Sequence, residues 1–189
     1  MRKHTIVALV EDRPGVLNRI ASKWRQRGFN IESLAVGHSE VPGLSRMTFT
    51  VDGTTTDVDQ VTKQMYKIIE VVKVSDLTEH DIVHRELALV KISATPQQRS
   101  NVIEIVDIFR AKIVDVSTEA LIIEVTGTED KVDALIEMVR PYGIKELVRT
   151  GRIAMARGAR TPMALDGEKG EHHRYRSAGE GKAKVGSLM

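Results

Sequence analysis

The stretch "HTIVALVEDRPGVLNRI", residues 4–20, decides the fold. It opens with an apolar, β-branched run, "HTIVALV" (4–10), suited to a buried strand. The apolar spacing then becomes helical: "PGVLNRIASKWRQR" (14–27) puts Val16, Leu17, Ile20, Ala21 and Trp24 on one face, and Gly28 ends the helix. Between strand and helix stand Asp12, Arg13, Pro14 and Gly15. Pro14 suits a first helical turn, where its missing N–H costs nothing, and Gly15 lets a ligand approach the backbone. The amides that follow point outward with the positive end of the helix dipole and favour a carboxylate, while Asp12 either caps the helix or accepts an ammonium group. An anion acceptor beside a cation acceptor suits a zwitterionic amino acid. Plain helix capping is the competing reading.

Outward from this turn, "NIESLAVGHS" (30–39) and "LSRMTFTVDG" (44–53) alternate apolar and polar residues around "EVPG" (40–43), a hairpin pattern. A second helix is predicted in "DVDQVTKQMYKIIE" (57–70), with Val58, Val61, Met65, Ile68 and Ile69 inward, and "VVKVSDLT" (71–78) closes as a strand. The order is βαββαβ. It recurs after a polar link, "EHDIVHRE" (79–86): strand "LALVKI" (87–92), helix 97–111, strands "KIVDVS" (112–117) and "ALIIEVTG" (120–127), helix 129–142 and strand "IKELVR" (144–149). The fold class is therefore α+β, with two ferredoxin-like sandwiches over residues 1–80 and 81–158, each a four-stranded antiparallel sheet with two helices on one face. One face of such a sheet is bare, so a partner is expected to cover a face or an edge, in a dimer built through the sheets.

Composition limits the function classes. The 189 residues are 41% hydrophobic and contain no cysteine, which excludes a disulfide framework and thiolate chemistry. No apolar run approaches a membrane span, and "MRKHTIVALVEDRPG" has too short an apolar stretch for a signal peptide, so a soluble, cytoplasmic protein is expected. Residues 150–189 hold 8 Lys+Arg against 4 Asp+Glu and 7 of the 14 glycines, so the basic balance belongs to the tail. The composition of 159–189 predicts disorder. With Tyr175 its one aromatic residue, the tail lacks the stacking groups of a nucleic-acid binder.

Several separate motifs carry a resemblance. "EDRPGVLNRIASKWRQRGFNIESLAVG" (11–37) followed by "LSRMTF" (44–49) resembles the ACT domain. "RGFNIESL" (27–34), "LSRMT" (44–48), "RELALVKI" (85–92), "IFRAKIVDV" (108–116) and "RTGRIAMARG" (149–158) resemble the small regulatory subunit of acetohydroxyacid synthase, also called acetolactate synthase. The resemblance implies a non-catalytic subunit that dimerises through its ACT sheets, binds a branched-chain amino acid, usually valine, and activates a separate catalytic subunit. That partner would carry thiamine diphosphate, magnesium and FAD. This chain shows no Gly-Asp-Gly start of a thiamine-diphosphate motif, no GxGxxG and no Walker pattern.

Carried over by position, the family's effector site falls on Asp12, Gly15, Val16, Leu17 and Asn30, with the ligand carboxylate at the amides of Gly15 and Val16 and Asn30 meeting its polar groups. The resemblance places this site at the ACT dimer interface, one subunit's turn facing the other's strand. Asp12 departs from the asparagine frequent in related subunits, which leaves the effector a branched-chain amino acid rather than valine alone.

Other residues take plain readings. His80 and His84 are four apart but lie in the link without further ligands, and His172 and His173 sit in the tail; no metal site is expected. Trp24 reads as core and Arg46 as a surface or interface residue. No Ser/His/Asp set or close carboxylate pair supports catalysis. An amino-acid-responsive transcription regulator is the alternative function class, but no DNA-binding helix pair precedes residue 159.

Overall fold

The computed structural model describes residues 3–52, 58–159 and 162–165. Its first half runs β1 (Lys3–Glu11), α1 (Val16–Gln26), β2 (Ser33–His38), β3 (Leu44–Asp52), α2 (Val58–Met65) and β4 (Val71–Asp76). The second half runs β5 (Ile82–Ser93), α3 (Arg99–Ile108), β6 (Lys112–Val116), β7 (Ala120–Gly127), α4 (Glu129–Val139), β8 (Ile144–Arg149) and β9 (Ile153–Ala156). Sheet 1 has the strand order β2-β3-β1-β4 and sheet 2 the order β6-β7-β5-β8, all pairs antiparallel. This is the α+β double sandwich that the repeated pattern predicts.

The run 4–10 lies at the centre of sheet 1 because it can be buried on both faces. Ile6, Ala8 and Val10 face α1 and α2, while Val7 and Leu9 face a separate apolar cluster on the opposite side. Trp24 is core, 1% exposed, with its ring centroid 4.7 Å from that of Phe49. Full burial of a side chain of this size contributes about 2–3 kcal/mol.

The structure narrows the inward faces read from the sequence. On α1, Val16, Ile20 and Trp24 are buried but Leu17 is 40% exposed, beside the β1–α1 turn. The second helix stops at Met65, and Ile69 is 73% exposed rather than inward. A tight reversal into β4 forces this: Val71 N–H donates to the Ile68 carbonyl, and Tyr66 turns outward so that its hydroxyl donates to the Val74 carbonyl and accepts from the Val74 amide.

The segment read as a polar link is part of a strand. Its residues Ile82–Arg85 pair with β9, whereas the rest of β5 pairs with β7 and β8. Through β9 the chain covers the outer face of sheet 1 itself, where a partner was expected. Ala154 and Met163, 6% and 3% exposed, pack with Val7, Leu9, Leu44 and Leu77. Lys73 Nζ donates to the Ala164 carbonyl in the same region. Most of the tail, including His172, His173 and Tyr175, lies outside the described residues. Among the described residues no helix is long and apolar enough to cross a membrane.

Met163 gives the tail a measurable contribution. A chain ending at residue 159 loses a buried methionine, about 2 kcal/mol, and is expected to melt roughly 4–8 °C lower than the full chain. A chain ending at 165 should match the full chain. Equal melting of the two truncations by differential scanning calorimetry would show that Met163 contributes nothing.

Candidate functional site

The β1–α1 turn is built by backbone groups. Asp12 N–H donates to the Gly43 carbonyl (2.8 Å), tying the turn to the β2–β3 hairpin loop, and Arg13 N–H donates to the Glu11 carbonyl (3.0 Å). The helix begins later than the sequence suggests, since Gly15 is its N-cap at φ 87°, ψ −9°, and Pro14 stands before the cap rather than in the first turn. A left-handed backbone explains why glycine occupies this position. No side chain caps α1, and a Cβ at Gly15 would meet nothing within 4 Å. The space beside the Gly15 α-carbon is open.

Asp12 therefore does not cap the helix. Its Oδ2 lies 3.1 Å from Nδ1 of His38 at the end of β2, and both side chains are substantially solvent-exposed. His38 escaped the sequence reading because its partner lies in a turn 26 residues away in the chain. Val16 is buried and its amide already donates to the Arg13 carbonyl (3.4 Å), so, contrary to what the resemblance implies, that amide is not free for a ligand carboxylate. Exposed Leu17 is the apolar side chain standing beside the turn.

Asn30 lies elsewhere in the same chain. It precedes β2, whose Ser33 pairs with Thr50 and through it with Thr5, whereas the turn follows Glu11 at the opposite end of β1. Six residues of strand, about 20 Å, separate the two ends. The structure brings together Asp12, Gly15, Val16 and Leu17 but not Asn30.

Arg46, read as a surface or interface residue, is half-buried and donates from Nη2 to the Ala154 carbonyl (2.9 Å), fastening β9 onto sheet 1. Burial lowers the pKa of its guanidinium, with Glu40 opposing the shift. Arg46, His38 and Val36 line a largely apolar groove of about 530 Å³ with Val83, Arg85 and Met155. His80 sits in a turn, whereas His84 lies in β5 opposite Ala154. The pKa of His84 is lowered by burial and then by Arg152 and Arg85.

Residues 6–73 match the family model described as "AHAS small subunit-like ACT domain", and residues 85–158 that described as "Small subunit of acetolactate synthase". A probable acetolactate synthase small subunit of Archaeoglobus fulgidus is 57% identical over 156 residues, 82% of this chain and 98% of that protein. The chain belongs to the acetolactate synthase small-subunit family. The Bacillus subtilis acetolactate synthase small subunit is 49% identical over 158 residues, covering 82% of this chain and 91% of its own. The crystal structure of the Thermotoga maritima acetolactate synthase small subunit superposes with a TM-score of 0.77 at 43% identity, covering 84% of this chain and 99% of that one. Within this small-subunit chain, the first matched region contains the Gly15 turn and Asn30, and the second contains β9.

Proposed function

We propose that this chain is a non-catalytic regulatory subunit that activates the catalytic large subunit of acetohydroxyacid synthase and confers feedback inhibition by valine or another branched-chain amino acid. The observation that carries the effector reading is the left-handed Gly15 cap with open space beside it, flanked by the Asp12 carboxylate and the exposed Leu17 side chain. A carboxylate fits the positive end of the α1 dipole, an ammonium group fits Asp12, and a branched apolar side chain fits Leu17. The work takes place in the cytoplasm, and thiamine diphosphate, magnesium and FAD belong to the catalytic partner.

A homodimer completes the site. Strand β2 is an edge of sheet 1, paired with β3 on one side. Antiparallel pairing of two β2 edges about their middle sets Ser33 of one copy opposite residue 38 of the other, and by the same register Asn30 opposite residue 41. That residue lies in the hairpin loop whose Gly43 carbonyl accepts the Asp12 amide. The strand separation within one chain thus becomes proximity between two.

The test is acetolactate formation from pyruvate by the chain alone, by the purified catalytic subunit alone, and by both, with thiamine diphosphate, magnesium and FAD present. The chain alone is expected to form none, the mixture to turn over faster than the catalytic subunit, and valine to suppress that gain. Acetolactate production by this chain without a partner overturns the non-catalytic reading.

A further inference from the structure

A second cluster joins the two halves of the molecule. Lys3, Glu32, Ser33, Thr50, Glu129 and Arg152 line a cleft of about 410 Å³ between the sheets. Lys3 Nζ donates to Glu129 Oε1 and lies 3.3 Å from Glu32 Oε2, so one ammonium is shared by a carboxylate from each domain. Arg152 Nη2 donates to the other oxygen of Glu129 (2.5 Å), and its Nη1 donates to Thr5 Oγ1 (3.2 Å). The Arg152 amide reaches Ser33 Oγ at 3.4 Å, and that hydroxyl donates to Thr50 Oγ1 at 3.0 Å. Arg152 is the most buried ion of the group, with its side chain 14% exposed.

Glu129 opens α4, where the positive end of the helix dipole favours its charge. Burial acts to raise its pKa, but the hydrogen bond from Lys3 and the charges of Lys3, Arg152 and Arg149 outweigh it and hold the carboxyl below its ordinary value. The Lys3 ammonium is correspondingly raised, chiefly by the bond to Glu129. Both directions favour the ion pair.

We propose that Glu129, held between Lys3 and Arg152, is the positioning residue that couples effector occupancy at Asn30 to the second domain; this rests on the effector reading given above. Asn30 lies two residues before Glu32 and three before Ser33, both of which line the cleft. An effector that draws on Asn30 moves or holds this segment. Lys3 then divides differently between Glu32 and Glu129, and the Arg152 guanidinium between Thr5 and Glu129. A cation shared by two carboxylates has discrete alternative arrangements, which is the physical element that coupling between sites requires.

The test uses the holoenzyme reconstituted with its catalytic subunit and three small-subunit variants: Glu129→Gln, Arg152→Met, and Glu137→Gln, which removes an exposed pair between α4 and Arg140 just past its end. Two quantities are read: binding of valine, leucine and isoleucine to the small subunit by isothermal titration, and maximal inhibition at saturating effector. Glu129→Gln and Arg152→Met are expected to bind effector within about threefold of wild type and to keep basal activation, while maximal inhibition falls by half or more; Glu137→Gln behaves as wild type. A coupling of the usual size, roughly 5- to 150-fold, makes such a loss readily measurable. Full inhibition in both cleft variants with unchanged binding overturns this inference alone. A wild-type chain that binds none of the three amino acids overturns the effector reading and this inference with it. Should either variant fail to fold, the other decides.

Discussion

Gly15→Asp is expected to bind valine roughly 5- to 1,000-fold more weakly than wild type while still activating the catalytic subunit. The range follows from repulsion between two carboxylates about 4 Å apart, about 1 kcal/mol in bulk water and about 4 kcal/mol at a partly desolvated surface. The fold should survive, because a Cβ at this position meets nothing within 4 Å. The backbone does impose a cost: φ is +87°, so an aspartate there is strained by about 1 kcal/mol, equivalent to roughly 2–4 °C in Tm. Gly15→Asn carries the same strain without the charge and separates the two effects. Asn30→Ala is expected to weaken binding in the same direction by about 2- to 10-fold, the worth of one lost hydrogen bond. Isothermal titration of valine, leucine and isoleucine, followed by the coupled activity assay, measures all three variants. If Gly15→Asp and Asn30→Ala both bind effector as wild type does, the turn is only a helix start.

Gly151→Ala is expected to be the most destabilising conservative substitution between the two domains. A Cβ at residue 151 would stand 2.3 Å from the Leu34 carbonyl oxygen, 2.5 Å from its carbon and 2.9 Å from the Ala35 nitrogen. These are backbone atoms of a paired strand, which cannot rotate away as a side-chain tip can. The segment must lift off β2, weakening the Arg152 contacts with Ser33 and Glu129. Overpacking of this kind costs about 3 kcal/mol, or roughly 6–12 °C in Tm for a chain of this size. Gly37→Ala is the control, since a Cβ there meets nothing within 4 Å. Equal melting temperatures for the two alanine variants would show that the close approach of residue 151 to β2 is not a structural requirement.

The same contrast between near and distant partners separates what was legible in the sequence from what was not. Strand β1, its turn and α1 follow from apolar spacing because each residue's environment is fixed by neighbours a few positions away. The repetition of that pattern gave the second sandwich, and the motif run through the turn gave Asp12, Gly15, Val16 and Leu17. By contrast, "IAMA" (153–156) has too few residues to show a period, and "IVHR" (82–85) reads as a polar link until it is paired with that segment. Met163 carries no signal at all, since its burial depends on the outer face of sheet 1.

The βαββαβ repeat, the Trp24 core, the family and the position of the β1–α1 turn were legible in the sequence, because all of them rest on local periodicity or contiguous motifs. Tertiary structure alone decided that Asp12 meets His38, that Asn30 lies a strand's length from Gly15 in the same chain, that the chain covers its own sheet with β9, and that Lys3, Glu129 and Arg152 meet in one cleft. The physical reason is the same for each. These contacts join residues on different strands or domains, where no periodicity of the chain records the partner and only the packed sheets bring the charges and apolar faces within reach.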